Sequence, residues 1–301
     1  MITYPNVKIN LGLNVLRKRP DGYHDLETLF FPYHGIHDVL EIVAGDDYSR
    51  ISSELFAKYG GQENSGRIVQ GISPDGKAMI TIAKEDGVGW DPLKDLCIGA
   101  YGILDAEFGL PPVKIYLEKL SPVGAGLGGG SADAAFAVRM LNEMFSLGLD
   151  DRKMADYASR LGSDCAFFIY DRPMIGEGRG EKLTGYSFNG IRIQEDDDVS
   201  CGSGSEDRDT YVLKVVVPEG VHVSTADAYR GIVPAIPEIP LRDALSMPVE
   251  KWKDCLVNDF ERTVFAEYPQ LEAIKGSLYG SGAVYASMSG SGSALFALYR
   301  K

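Results

Sequence analysis

Apolar and polar residues alternate strictly over residues 7–15, with Val7, Ile9, Leu11, Leu13 and Val15 in the apolar register. A period of two marks a strand with one face on a core. Successive strand side chains point to opposite faces, so Lys8, Asn10, Gly12 and Asn14 share the other face. Lys8 and Asn10 then project the same way, about 7 Å apart. Arg19-Pro20-Asp21-Gly22 is rich in turn residues. Residues 26–33 and 38–43 read as further strands.

Residues 44–92 carry many Gly, Asp and Ser and show little periodicity apart from a strand at 79–83. Leu96, Ala100, Ile103 and Leu104 recur at helical spacing, and Gly109 ends that helix ahead of Pro111-Pro112. Val113, Ile115 and Leu117 alternate as a strand. After a glycine-rich loop, Ala134, Val138, Leu141 and Phe145 fall on one helical face. A second helix begins at Asp150 or Asp151, either of which is a suitable cap, and stops at Gly162. Residues 167–170 read as a buried strand and 211–217 as another. Helical patterns occupy 248–265 and 268–279, and two strand-like runs around a last glycine loop close the chain. Without regular strand–helix–strand alternation, the class is α+β rather than a doubly wound sheet.

The 301 residues are enough for one large or two ordinary domains. Hydrophobic residues make up 45% and charged residues 24%, as in a soluble globular protein. No apolar run approaches the ~18 residues of a membrane helix. The N-terminal segment alternates before its charges arrive, unlike a secretory signal, so the expectation is a cytoplasmic protein without a membrane partner. Cys97, Cys165, Cys201 and Cys255 are widely spaced, which suits a reducing compartment better than a zinc site or disulfide framework. A formal charge of -13 argues against nucleic acid as a partner. An anionic ligand would need locally positive ground, and Arg17, Lys18 and Arg19 form the densest basic patch. A solvated loop is the simpler account of that patch taken alone.

Three loops carry candidate chemistry. Ser121-Pro122-Val123-Gly124-Ala125-Gly126-Leu127-Gly128-Gly129-Gly130-Ser131-Ala132-Asp133 places five glycines within seven residues, between a strand and a helix. Glycine admits positive φ and close approach of backbone to a ligand. The helix N-terminus adds unpaired N–H groups and partial positive charge, so the combination suits phosphate. No Lys-Ser or Lys-Thr follows, which excludes a Walker loop. Gly124, Gly126 and Gly129 fit a dinucleotide fingerprint, but no strand–helix–strand unit leads to an acidic ribose ligand. In Leu161-Gly162-Ser163-Asp164-Cys165, Asp164 is either a turn residue accepting local N–H groups or a general base. Ser287-Met288-Ser289-Gly290-Ser291-Gly292-Ser293-Ala294 is a loop of small residues, explained by a tight turn or by close approach to a ligand.

In this order the three loops resemble the GHMP kinase superfamily, which includes galactokinase, homoserine kinase and mevalonate kinase. Lys8-Ile9-Asn10-Leu11 and Arg19-Pro20-Asp21-Gly22-Tyr23-His24-Asp25-Leu26 narrow the resemblance to members whose acceptor is a cytidine-diphosphate-linked methylerythritol. Val221-His222-Val223-Ser224-Thr225-Ala226-Asp227-Ala228-Tyr229 and Asn258-Asp259-Phe260-Glu261 extend it over most of the chain, apart from roughly 45–91 and the acidic stretch at 194–209. At Pro5-Asn6-Val7-Lys8 the chain departs from the family's Pro-Ala-Lys by one extra residue, which leaves Lys8 and Asn10 in register with each other.

The resemblance implies transfer of the γ-phosphoryl group of ATP to the 2-hydroxyl of the methylerythritol moiety. Pro122, Val123, Gly124, Ala125, Gly126, Leu127, Gly128, Gly129, Gly130, Ser131 and Ala132 would wrap the ATP phosphates. Asp164 would be the catalytic base, and Lys8 would pair with it and with the transferring group. Asn10 would help hold the substrate diphosphate. His24 would read the cytosine edge, Tyr23 would stack on its face, Tyr229 would close the other side, and Thr225 would lie near the substrate. Mg²⁺ would accompany ATP, with Ser131 the one loop residue considered near it and no protein ligand assigned. The implied fold joins an N-terminal domain of the ribosomal protein S5 domain 2 type over 1–170, carrying the ATP loop and catalytic residues, to a ferredoxin-like domain over 171–301, with the site in the cleft. A monomer or weak homodimer is expected. Another small alcohol, such as homoserine or a sugar, is the alternative acceptor, although it would not need Tyr23, His24 and Tyr229.

Overall fold

The computed structural model describes residues 1–45, 47–61, 66–195 and 209–301, so most of the acidic stretch at 194–209 lies outside the described residues. The chain divides into two compact units. One comprises residues 1–7, 36–123 and 128–171; the other comprises 8–35, 124–127 and 172–301.

The first unit holds a five-stranded sheet in the order Ile2–Thr3, Val39–Ala44, Val113–Lys119, Ala78–Lys84, Ile68–Ile72. Val113–Lys119 pairs antiparallel with Val39–Ala44 and parallel with Ala78–Lys84. A parallel pair requires a crossover, which the helix Leu96–Phe108 supplies. Asp95 starts that helix by accepting from Cys97 N, and Gly109 ends it at φ +62°, a left-handed stop open to glycine. The helix Gly129–Met144 buries Ala134, Val138 and Leu141, the face its period indicates. Asp150 caps Asp151–Ser159 by accepting from Lys153 N.

Residues 167–170, expected as a strand, are part of the helix Cys165–Tyr170. A short, wholly apolar run has no period with which to tell strand from helix. Here Cys165, Ala166, Phe167, Phe168 and Ile169 are all buried, packed beside Gly129–Met144 and Asp151–Ser159. The stretch 44–92 contains the helix Ser52–Tyr59 besides its strands. That helix has no side-chain cap, and it is held by Leu55 and Tyr59 packing on Val43, Ala83 and Tyr116.

The second unit has two four-stranded sheets. One runs in the order Asn6–Lys18 (from Lys8 onward), His24–His37, Met174–Gly178, Lys182–Gly185. The other runs Ile191–Glu195, Asp209–Val216, Leu295–Arg300, Tyr285–Met288. The helices Val249–Cys255, Glu261–Glu267 and Pro269–Gly280 belong to the same unit. Leu13, Val15, Phe260, Val264, Leu271 and Met288 share one core cluster, and burying each such side chain contributes ~1.5–3 kcal/mol. Along Asn6–Lys18 both faces are buried: Ile9 and Leu11 are fully covered, and Lys8 and Asn10 are only 3% and 2% exposed. No helix among the described residues is long and apolar enough to cross a membrane.

Candidate active site

Lys8 is an ammonium held almost out of water. Desolvating it costs several kcal/mol, which must be offset by good partners. Its Nζ donates to Asn10 Oδ1 at 2.6 Å and to the Gly126 carbonyl at 2.8 Å, and it stands 5.5 Å from the centre of the Phe30 ring. Asn10 Nδ2 donates to Thr28 Oγ1 at 3.0 Å, and Thr28 Oγ1 donates to the Gly12 carbonyl at 2.5 Å. The row Lys8–Asn10–Thr28 thus locks each side chain in one orientation. An amide nitrogen carries two hydrogens, so one of Asn10's donors remains beyond its bond to Thr28.

The middle of the phosphate loop lies against the last glycine loop. Gly126 O also accepts from Ser289 Oγ at 3.0 Å, and Ala294 N donates to Ala125 O at 3.1 Å. A Cβ at Gly126, where φ is +77°, would fall 2.1 Å from the Ser289 carbonyl oxygen. Asn258 fixes the last loop from behind, donating to the carbonyls of Met288 and Gly290 at 2.7 and 2.9 Å. Asp259 accepts from Val15 N at 2.6 Å, and burial raises its carboxyl above the usual range. The Asn258-Asp259-Phe260-Glu261 motif therefore builds the floor of this loop; Glu261 accepts from Ser287 Oγ and Met288 N.

The far end of the phosphate loop belongs to the first unit. Gly128, at φ +75°, caps the helix that begins at Gly129. Gly130 is exposed, and nothing lies within 4 Å of where its Cβ would be. Asp164 immediately precedes the helix Cys165–Tyr170 but makes no side-chain capping bond to it. Asp164 is half-buried. Cys165, the next residue, is buried near Ser131 on the first turn of the loop's helix, and burial pushes its thiol up to about 12. A Cβ at Gly162 would lie 3.2 Å from Cys165 Sγ and 3.9 Å from Ser131 Oγ. The segment bearing Asp164 thus stands directly beside the helix N-terminus of the phosphate loop.

The turn carrying Tyr23 and His24 is braced by ion pairs. Arg17 pairs with Asp25, and Arg19 pairs with Asp21 at 2.9 Å and Asp25 at 3.2 Å. The Arg17 hydrogen bond holds the Asp25 carboxyl below its usual range. Two cations of the basic patch therefore serve the turn itself. Tyr23 is 57% exposed, with the Arg179 guanidinium 5.0 Å from its ring centre. His24 stacks on Tyr229, whose ring meets Phe260 edge-on. Burial, and then Lys18, lower the His24 imidazole below its ordinary value. Thr225 Oγ1 lies 3.2 Å from Ser291 Oγ on the last glycine loop.

Among the described residues, no group of three or more His, Cys, Asp or Glu could hold a metal ion. Sequence reasoning did not single out Lys119, Asp38, Thr28 or the role of Asn258. Asp38 and Lys119 are distant in sequence yet form a buried ion pair, and no local pattern announces it.

The family described as GHMP kinases N terminal domain matches residues 95–172, and GHMP kinases C terminal matches 246–301. The 4-diphosphocytidyl-2-C-methyl-D-erythritol kinase of Bacteroides fragilis is 44% identical over 299 residues, covering 99% of this chain and 92% of that protein. The kinase of the same name from Parabacteroides distasonis is 40% identical over 301 residues, covering 100% of this chain and 92% of its own. A crystal structure of 4-(cytidine 5'-diphospho)-2C-methyl-D-erythritol kinase superposes with a TM-score of 0.70 at 27% identity, covering 99% of this chain and 90% of the other. Two matched GHMP segments, near-full-length relatives and a shared fold lead to one assignment: the chain belongs to the 4-diphosphocytidyl-2-C-methyl-D-erythritol kinase family of GHMP kinases.

Proposed function

We propose that this kinase transfers the γ-phosphoryl group of ATP to the 2-hydroxyl of 4-diphosphocytidyl-2-C-methyl-D-erythritol, giving ADP and the 2-phosphate, in the cytoplasmic non-mevalonate route to isoprenoid precursors. The observation that carries the reading is that Lys8 adjoins the phosphate loop in one unit, and the segment bearing Asp164 stands beside the helix following that loop in the other. Lys8 Nζ donates to Gly126 O at 2.8 Å, and a Cβ at Gly162, two residues before Asp164, would lie 3.9 Å from Ser131 Oγ on the first turn of the loop's helix.

A tertiary alcohol is a poor nucleophile, so positioning and electrostatic stabilisation carry most of the catalysis. Asp164 accepts the hydroxyl proton as the oxygen attacks. Lys8, already desolvated and oriented by Asn10, offsets negative charge at the transferring group, where a low dielectric strengthens the effect. The positive-φ glycines and the amides at the start of Gly129–Met144 suit a triphosphate, and residues 122–132 bind it. Mg²⁺ accompanying ATP would offset part of the phosphate charge, and Ser131 is the one loop residue that would lie near it.

Asn10 contributes its remaining amide hydrogen to the substrate diphosphate. Tyr23 and Tyr229 flank the cytosine, and each stacked base is worth about 1–3 kcal/mol by truncation. His24 in its neutral form offers one donor and one acceptor, as the cytosine edge requires. Thr225, which faces Ser291 of the last glycine loop, lies beside the substrate.

ADP release with ATP, Mg²⁺ and the cytidine-diphosphate substrate tests the assignment directly. Turnover of homoserine or a sugar, with none of the cytidine compound, would replace the acceptor.

A further inference from the structure

None of the roles above uses Lys119, yet it is as deeply buried as Lys8. Its ammonium donates to Asp38 Oδ2, to Asp133 Oδ2 at 2.7 Å and to Ser121 Oγ at 3.1 Å. Asp38 also accepts from the backbone N–H groups of Leu120 and Ser121, and from Ser121 Oγ, each at 2.7 Å. All four side chains are buried, Lys119 most exposed at 5%.

Ser121 is the residue before the phosphate loop, and Asp133 sits early on the helix that follows it. A single ammonium therefore ties both ends of the loop together. The cluster also backs directly onto loop backbone: a Cβ at Gly129 would fall 2.2 Å from Ser121 Oγ and 3.3 Å from Lys119 Nζ. Gly129 is thus glycine to admit this cluster rather than to admit a ligand.

As a purely stabilising device the cluster is poorly made. Replacing a buried ion pair or triad by packed apolar residues is often neutral or favourable. Asp133 Oδ1 is buried without a hydrogen-bond partner, an unfavourable state for a carboxylate. An arrangement with that disadvantage fits a requirement for geometry: amides aimed at a phosphate must be fixed before the ligand arrives.

We propose that Lys119 is a positioning residue for nucleotide binding, acting through Ser121 and Asp133 to set the spacing between the two ends of the phosphate loop. The proposal rests on the reading of residues 122–132 as the ATP site.

The test compares Lys119→Met with the unaltered kinase by titration with a fluorescent ATP analogue and by steady-state kinetics, at a temperature where circular dichroism shows both folded. Losing charged hydrogen bonds that shape the loop should raise the nucleotide Kd about tenfold or more, while the KM of the cytidine acceptor stays within roughly twofold. An unchanged nucleotide Kd, or equal losses for both ligands tracking a lowered Tm, overturns the proposal. Should Lys119→Met not fold, Ser121→Ala removes only one hydroxyl and should still weaken nucleotide binding severalfold; no change there also overturns it. Asp133→Asn keeps an oxygen for Lys119 and should weaken nucleotide binding less than Asp133→Leu; equal effects count against the proposal. Gly130→Asp places a carboxylate in open space on the loop's exposed side and separates the two readings. If it leaves nucleotide binding intact, the ATP-site reading falls. If it abolishes binding while Lys119→Met does not, only the role of Lys119 falls.

Discussion

His24 lies flat on Tyr229, with ring centroids 4.8 Å apart and planes inclined by 20°. The contact joins the turn after the first long strand to the short helix Thr225–Arg230, within one compact unit. It also covers one face of the imidazole, and that burial, reinforced by Lys18, lowers the proton affinity of the ring from its ordinary 6.5.

A pH dependence follows for the acceptor but not for ATP. The folded protein resists protonating His24, so just below pH 6.5 the unfolded chain takes up the proton first. Stability contributed by the neutral ring is therefore present above that window and declines as pH falls through it. Protonation also removes the ring's acceptor nitrogen. The KM for the cytidine substrate should rise as pH drops below 6.5, with the KM for ATP unaffected by this group. His24→Phe should keep the stack, raise the acceptor KM and abolish its pH dependence in that range; a profile identical to the unaltered kinase would refute the role.

Tyr23 and Tyr229 should separate binding from folding. Tyr23 is 57% exposed, whereas Tyr229 packs on Phe260 with centroids 4.7 Å apart. Tyr23→Ala should weaken acceptor binding by about 1–3 kcal/mol with little change in Tm. Tyr229→Ala should lower both acceptor affinity and Tm. Equal thermal shifts in the two variants would contradict the difference in packing.

Asp164→Asn should leave nucleotide affinity nearly intact and lower kcat by about 10²–10⁴, the range for losing a general base. Lys8→Met should lower kcat by about 10²–10³, as when one preorganised donor is lost. It should also destabilise the fold, because Asn10 Oδ1 and Gly126 O lose a buried partner. Single-turnover rates combined with thermal melts distinguish the two; full turnover by the Asp164 variant would remove it from the chemistry.

Gly126→Ala should be the most damaging one-carbon change in the phosphate loop. Its φ is +77° and the added methyl would meet the Ser289 carbonyl oxygen at 2.1 Å. Left-handed strain alone costs about 1–3 kcal/mol, and the contact adds to it. Denaturant unfolding should show the loss, and an unshifted midpoint would mean that the two loops separate without penalty.

Much of this was legible in the sequence, for physical reasons that differ by region. The alternation around Ile9 and Leu11 marked a strand because it has a period, but period alone does not reveal that Lys8 and Asn10 are buried too. Phe167 and Phe168 carried no period at all, and neighbouring helices decided their conformation. Ser52–Tyr59 has no side-chain cap to announce it. The glycine loop, Asp164 and the Tyr23-His24 turn stand out as local clusters. Lys119 does not, because Asp38 and Asp133 reach it from elements remote in the chain.

Gly129 and Gly130 are chemically identical neighbours facing opposite demands. A side chain at the first would collide with the Ser121 hydroxyl in the interior, whereas at the second it would project into open space. Randomising both codons and sorting separately for soluble expression and for turnover should therefore split the pair. Many replacements at the second would express well yet be inert, whereas replacements at the first would be missing already from the expressed pool.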